Sequence, residues 1–262
     1  MDAVKRNNVK VIGKGEKPML FAHGYGCDQN MWRFITPAFE EDYKIVLFDH
    51  IGFGSSDISE YNKERYASLH GYAEDVLKIC HELELQDVVF VGHSVSAMIG
   101  VLAATKEPER FSKLILVSPS PSFINEGDYI GGFNREDIEG LLSSLDSDYL
   151  GWSNTIAPVI MGNPDKPELG QELAQSFCSS NEEVARDFAH VTFLSDHKKD
   201  LAKVKVPTLI LQCSEDAIAP LTVGEYTSKS IAGSQLVVLE ATGHCPNLSA
   251  PEETIAAIKS FL

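Results

Sequence analysis

The sequence predicts an α/β domain with a mostly parallel central sheet flanked by helices. From Val9 to Ser120, short β-branched and aliphatic runs alternate with longer helical segments, which is typical of parallel strands buried beneath helices. Residues 123–199 break this alternation, because Gly and Pro divide them into about four short helices without a convincing strand. The 262 residues, 44% hydrophobic, suffice for one large core. We therefore expect a core domain of residues 1–122 and 200–262 and an inserted helical lid of residues 123–199.

The predicted strands are short and apolar. They are Val9–Ile12, Met19–Ala22, Lys44–Phe48, Val88–Val91, Lys113–Val117, Thr208–Gln212 and Leu236–Leu239. Helices are predicted where apolar residues recur at spacings of three and four, where an Ala-rich run is continuous, or where Pro precedes acidic residues. They are Leu69–Leu83, Val95–Lys106, Thr222–Ile231 and Pro251–Leu262.

Charge and cysteine content restrict the class of partner and the compartment. The net charge of −16 repels phosphate backbones and anionic lipids, which argues against nucleic-acid and membrane partners. The five cysteines are scattered without a C-x-x-C pair, which predicts reduced thiols, no metal site and a cytoplasmic location. We expect neither a leader nor a membrane span, because no apolar run approaches the ~18 to 20 residues that a span needs.

A nucleophilic serine is predicted in the run Gly92-His93-Ser94-Val95-Ser96. This run lies between an apolar strand and a helix, the context of a nucleophile elbow. The sharp turn needs small residues two positions to either side of the serine. Gly92 meets this need, and Ser96 replaces the more usual second glycine.

A serine nucleophile requires a base and an acid that follow it in the chain. Among the eight histidines, His244 has the right placement, in the loop after the last strand. Asp216 follows the strand Thr208–Gln212, at the same edge of the sheet. The adjacent Glu215 is an alternative acid, because periodicity does not separate neighbours in a loop.

Two backbone amides are candidates for an oxyanion hole. The run His23-Gly24-Tyr25-Gly26 ends a strand, and its glycines allow the N–H of Tyr25 to point at a developing oxyanion. The N–H of Val95 follows the nucleophile at a helix N-terminus, where the dipole favours negative charge.

Other features are better interpreted as structural. Asp49 to Gly54 contains a glycine pattern without the third glycine of a dinucleotide site, which favours a turn. His93 is expected to pack, and His190 and His197 lack a third zinc ligand. Because the insert leaves and re-enters the sheet at its carboxyl edge, we expect it to cover Ser94 and His244 with an apolar pocket beneath it.

These runs together resemble the α/β-hydrolase superfamily over essentially the whole chain. The narrower resemblance is to the RsbQ group of bacterial stress-signalling hydrolases and to the plant karrikin and strigolactone receptors. It rests on Asn8 to Gly13, His23 to Gln29 with Trp32, Gly92 to Gly100, Gly131 to Phe133 and Ile210 to Cys213.

The resemblance implies the α/β-hydrolase fold, a four-helix lid over a small hydrophobic pocket, and no cofactor. It supports Ser94, Asp216 and His244 as the triad and Tyr25 and Val95 as oxyanion amides. It also suggests a pocket lined by Phe133, Trp152 and Phe193. Two positions depart from the family pattern: Tyr25 stands where Phe is usual, and Ser96 is similar to the plant receptors, whereas the bacterial group usually has glycine there.

Two functions are compatible with this pattern. One is a serine hydrolase for a small hydrophobic ester or enol-ester, resembling butenolides, in a signalling role like that of RsbQ. The other is a ligand sensor whose slow turnover changes the lid for a signalling protein partner. Both need the same triad.

Overall fold

The strands form a single sheet in the computed structural model, which describes residues 2–262. They are β1 (Lys10–Ile12), β2 (Lys17–Ala22), β3 (Tyr43–Leu47), β4 (Val88–His93), β5 (Phe111–Val117), β6 (Thr208–Glu215) and β7 (Gln235–Thr242). Their order in the sheet is β1-β3-β2-β4-β5-β6-β7. β1 pairs antiparallel with β3, and the other neighbours are parallel. The predicted fold class, an α/β-hydrolase fold with a mostly parallel sheet, is confirmed.

The register of the sheet brings several loops to one edge. Ala22 at the end of β2 lies opposite Gly92 in β4, and His93 lies opposite Val117 at the end of β5. The segments after these strands therefore emerge side by side, and those after β6 and β7 emerge at the same edge. The central strands are buried on both faces, as expected for parallel strands covered by helices.

Seven α-helices of the described residues precede, connect or follow these strands outside the segment between β5 and residue 198. They are α1 (Ala3–Arg6), α2 (Leu69–Glu82), α3 (Val95–Lys106), α8 (Lys198–Leu201), α9 (Leu221–Ser230), α10 (Pro246–Ser249) and α11 (Pro251–Phe261), and four further α-helices lie between α3 and α8. None of the helices in residues 2–262 is both long and apolar enough to cross a bilayer.

The segment between β5 and α8 contains four helices: α4 (Arg135–Ser147), α5 (Tyr149–Met161), α6 (Pro167–Ser179) and α7 (Glu182–Phe193). Before α4 the chain makes a short turn, in which Ile124 bridges to Phe133 and Glu126 bridges to Tyr129. The four helices bury apolar side chains that join the main core, including Ile138, Trp152, Phe177 and Phe188.

Two histidines and a serine form a buried polar cluster beneath the carboxyl edge. The backbone N–H of His50 donates to Nε2 of His23 at 2.9 Å, and the Ser96 hydroxyl donates to the His23 carbonyl at 2.5 Å. Because that hydroxyl has only one hydrogen, Ser96 must accept from Nε2 of His50, 2.7 Å away. The cluster ties the loops after β2 and β3 to the first turn of α3.

Burial keeps these histidines neutral. It lowers the pKa of His23 and lowers the pKa of His50 well below its usual value, the latter with help from the neighbouring His23 ring. Burial also lowers the pKa of His93 to about 3, with a further contribution from His244. His23, His50 and His93 are each at most 2% exposed.

We expect acid to destabilise the protein through these three histidines. Unfolding raises the pKa of each imidazole toward its ordinary value of about 6.5, so the unfolded chain binds more protons than the folded chain below that pH. The stabilisation is complete above about pH 6.5 and is lost as the pH falls toward the folded pKa, with a slope up to about 1.4 kcal/mol per pH unit for each histidine. Urea unfolding at several pH values measures this slope.

His50→Asn should reduce the pH dependence of the free energy of unfolding by about the contribution of one histidine. His70→Asn, which removes an exposed imidazole, is the matched control, and the slopes of the two variants should differ. Equal slopes would mean that His50 does not stay neutral in the folded protein.

Candidate active site

Ser94 occupies a sharp turn between β4 and α3. Its backbone has φ 55° and ψ −121°, a conformation that is costly for any residue other than glycine. The Ser94 N–H donates to the Val117 carbonyl of β5 at 2.8 Å. A Cβ on Gly92 would lie 2.5 Å from the carbonyl oxygen of Ser96, so the close approach of strand and helix requires glycine there.

The structure brings Ser94, His244 and Asp216 into one hydrogen-bonded chain. Oγ of Ser94 lies 2.7 Å from Nε2 of His244, and Nδ1 of His244 lies 2.7 Å from Oδ2 of Asp216. All three residues are buried. The alternative acid Glu215 is exposed at the end of β6.

Asp216 is held as a carboxylate. Burial raises the pKa of Asp216, but the neighbouring His244 and the N–H groups of Ala219 and Ile218 outweigh it, so the pKa lies below its ordinary value. Those two amides donate to Oδ1 at 3.0 and 2.8 Å. A carboxylate only accepts hydrogen bonds, so Nδ1 of His244 must carry the hydrogen. Nε2 is then the acceptor for the Ser94 hydroxyl, which is the tautomer that a general base needs.

The loop after β2 carries Tyr25, which lines the same cavity as Ser94. A Cβ on Gly24 would lie 2.4 Å from Nδ1 of His93, and a Cβ on Gly26, whose φ is +72°, would lie 2.1 Å from the Phe177 ring. Both glycines are therefore required by the close packing of this loop. Among residues 2–262, no protein acceptor takes the backbone N–H of Tyr25 or of Val95.

A small apolar cavity lies over the serine. Its volume is about 30 Å³, and Ser94, His244, Tyr25 and Thr192 line it. Its apolar walls are Phe123, Ile160, Leu173, Phe177, Phe193 and Ile218. A surface groove of about 310 Å³ lies next to it and shares Cys27 and Leu173 as lining residues. The cavity is much smaller than a typical ligand site of about 300 to 1,000 Å³, so a substrate must displace part of this wall.

The three aromatic residues predicted to line the pocket lie in different places. Phe193 lines the cavity, 5.1 Å from the ring of Phe123. Trp152 lies behind the wall, where it stacks on Phe177 at 6.0 Å. Phe133 is half-buried in the turn before α4 and bridges to Ile124. Phe177 supplies the wall instead, and its spacing within α6 does not distinguish it from the helix's other core residues.

Three helices of the inserted segment hydrogen-bond to the loops of the site. The Tyr25 hydroxyl donates to the Ala185 carbonyl of α7 at 3.0 Å, and Ser176 of α6 donates to the Gly26 carbonyl at 2.8 Å. The N–H of His244 donates to the Ile160 carbonyl of α5 at 2.9 Å. Sequence reasoning missed these contacts, although Tyr25 in place of Phe was a signal for the first.

The remaining histidines of the inserted segment have acidic partners. His190 lies 2.9 Å from Asp146, and Nδ1 of His197 lies 3.0 Å from Asp200. In the described part of the chain, no group of three or more His, Cys, Asp or Glu side chains is placed to hold a metal ion.

Comparison with known proteins identifies the family. Residues 19–257 match the alpha/beta hydrolase family. The karrikin insensitive 2 receptor IA of Petunia hybrida is 41% identical over 251 residues, which cover 95% of this chain and 92% of that protein. The strigolactone esterase D14 of Arabidopsis thaliana is 38% identical and covers 97% of this chain and 96% of its own.

A solved structure extends the likeness to the whole backbone. The hydrolase olei00960 of Oleispira antarctica is 42% identical and superposes with a TM-score of 0.97 over 99% of this chain and 96% of its own. The identities to the two plant proteins confirm the resemblance to the karrikin and strigolactone receptors. The chain is a hydrolase that belongs to the alpha/beta hydrolase family.

Proposed function

We propose that the chain hydrolyses small, uncharged esters or enol-esters through Ser94, His244 and Asp216. The observation that carries this proposal is the pair of 2.7 Å contacts that link the serine, the histidine and the carboxylate. These distances are within the range of a nucleophile bonded to its base and of that base bonded to its orienting acid.

In the proposed mechanism, Oγ of Ser94 attacks the ester carbonyl while Nε2 of His244 takes its proton. The carbonyl oxygen becomes an oxyanion that accepts from the N–H groups of Tyr25 and Val95. His244 then gives the proton to the leaving alcohol or enol, which leaves an acyl group on Ser94. Water, deprotonated by His244, attacks this acyl group and releases the acid, which restores the serine.

Cavity and charge support a small, neutral, apolar substrate. The walls are mostly aromatic and aliphatic, and no Lys or Arg is among the described residues that line the cavity. The net charge of −16 opposes the approach of anions. The names of the plant relatives, a karrikin receptor and a strigolactone esterase, favour a butenolide-like enol-ester among such substrates.

We further propose that residues 123–199 act as a lid over the rest of the chain and that the protein works in the cytoplasm. The helices α5, α6 and α7 support the first point, because they supply Ile160, Leu173, Phe177, Thr192 and Phe193 to the cavity. The five free cysteines support the second, since thiols persist in reducing compartments.

The triad assignment predicts losses that do not add. Ser94→Ala and His244→Ala should each lower the kcat for p-nitrophenyl acetate by at least ~10³, and the double variant should be hardly worse, because triad members act as a unit. Asp216→Asn should cost on the order of 10³ to 10⁴ by removing the productive tautomer. Steady-state kinetics on variants with unchanged Tm measures these effects.

Glu215→Gln is the matched control for the acid, because it makes the same chemical change at the neighbouring residue. It should leave kcat nearly unchanged. Additive losses for Ser94 and His244, or a larger loss in Glu215→Gln than in Asp216→Asn, would contradict the assignment.

A second candidate function is a ligand sensor whose slow turnover changes the lid for a signalling protein partner. The observation that favours it is that α5, α6 and α7 each hydrogen-bond a loop of the site. A ligand that moves Tyr25 or His244 thereby acts on these helices directly.

The sensor function predicts that ligand changes hydrogen exchange in α5 to α7 more than in β4 and β5. The measurement compares the protein with and without a butenolide ester during turnover. Tyr25→Phe removes the hydroxyl bonded to Ala185 and should weaken the response of α7 selectively. Identical exchange in the helices with and without ligand, together with rapid multiple turnover, would favour a metabolic esterase instead.

A further inference from the structure

Thr192 is a buried polar residue that does not belong to the triad. It lies in the last turn of α7, is 2% exposed, and lines the cavity over Ser94. Its Oγ1 has no hydrogen-bond partner among the described residues. A buried hydroxyl without a partner costs about 1 to 3 kcal/mol, and most native hydroxyls of this kind are bonded.

Two other buried threonines in this chain form hydrogen bonds within their own helices. Oγ1 of Thr227 donates to the Val223 carbonyl at 2.8 Å, and Oγ1 of Thr254 donates to the Ala250 carbonyl at 3.0 Å. Both bonds join residue i to residue i−4, the usual arrangement for a helical threonine. Thr192 does not make this bond, so its hydroxyl remains available beside the cavity.

Most other polar side-chain groups of the cavity wall are already engaged or are weak hydrogen-bonding groups. Nδ1 of His93 also has no partner among the described residues, but it packs against Gly24. The Tyr25 hydroxyl donates to Ala185, and Nε2 of His93 donates to the His244 carbonyl at 2.7 Å. Ser94 and His244 bond each other. The thiols of Cys27 and Cys245 stay neutral, because burial raises their pKa values, and a neutral thiol is a weak donor.

We infer that Thr192 is a specificity-determining residue whose hydroxyl binds a second oxygen of the substrate, separate from the scissile carbonyl. This inference rests on the proposed function and narrows its substrate class. The preferred substrate is a small apolar ester that carries an additional neutral acceptor, such as an ether, a lactone ring oxygen or a second carbonyl. An ester of the same shape without this additional acceptor leaves the Thr192 hydroxyl without a hydrogen-bond partner in a closed site.

The size of the effect follows from this unpaired group. A site built to hydrogen-bond a substrate rejects an analogue that lacks the polar atom more strongly than it rejects a missing methylene. For one neutral hydroxyl we expect a preference on the order of tenfold. Because the bond forms with substrate and transition state alike, the preference should appear in KM more than in kcat.

The test uses two pairs of esters in which an ether oxygen replaces one methylene. p-Nitrophenyl methoxyacetate against p-nitrophenyl butyrate varies the acyl side, and 2-methoxyethyl acetate against butyl acetate varies the alcohol side. The measured quantity is the kcat/KM of the ether ester divided by that of the alkyl ester. Comparing this ratio between variants cancels the different intrinsic reactivities of the esters.

Thr192→Val keeps the shape and removes the hydroxyl, and Thr192→Ser restores the hydroxyl. We expect the ratio for at least one pair to fall about tenfold in Thr192→Val and to recover in Thr192→Ser. Thr192→Ala replaces the valine variant if that protein does not fold. Ratios that are the same in all variants for both pairs would overturn the inference.

A binding measurement separates this inference from the proposed function. Kd values of the same esters are measured with Ser94→Ala, with and without Thr192→Val. If no ester shows Ser94-dependent turnover but Thr192→Val still weakens binding of the ether ester selectively, the hydrolase proposal fails and the Thr192 inference stands. If turnover depends on Ser94 but neither Kd nor kcat/KM ratios respond to Thr192, the hydrolase stands and the inference fails.

Discussion

The turn at Ser94 is the constraint on which the arrangement of the site depends. A non-glycine residue with φ 55° and ψ −121° costs on the order of 1 to 3 kcal/mol and persists only where its surroundings hold it. The N–H of Ser94 bonds to β5, and Gly92 allows α3 to approach β4. Ser96, in the first turn of α3, bonds to the His23 carbonyl. The strained turn and the loop that carries the Tyr25 amide are thus held by one set of contacts.

The helices between β5 and α8 are bonded directly to the loops of the site. Tyr25, Gly26 and His244 each share a hydrogen bond with a different inserted helix. The loops that carry Tyr25 and His244 therefore move with these helices or lose these bonds when the helices shift. Because the cavity is only about 30 Å³, a substrate must displace side chains of its wall, most of which belong to α5, α6 and α7. Ligand entry therefore acts on the same helices that bond the loops of the site.

Much of this architecture was predictable from the sequence because it follows from local chemistry. The helix Val95–Lys106 has the predicted bounds, and the strands differ from their predicted limits by a few residues. Ser94 and His244 were identifiable because each follows a strand whose carboxyl end lies at the same edge, whereas only the family resemblance favours Asp216 over its neighbour Glu215. The wall of the cavity was not, because whether Phe133, Trp152 or Phe177 faces the serine depends on how the helices pack. Likewise, no local pattern distinguishes Thr192 from Thr227, since only the fold shows which hydroxyl lacks a partner.

The central claim is that Ser94 becomes acylated during turnover. Rapid mixing with p-nitrophenyl acetate, an acid quench and mass spectrometry of the peptides tests this directly, because the acyl group stays on the residue that attacked the ester. We predict a single acetyl group on the peptide that contains Ser94, formed within one turnover and absent in Ser94→Ala and His244→Ala. An acetyl group on another residue, or turnover with no acetylated intermediate at any quench time, would contradict the account.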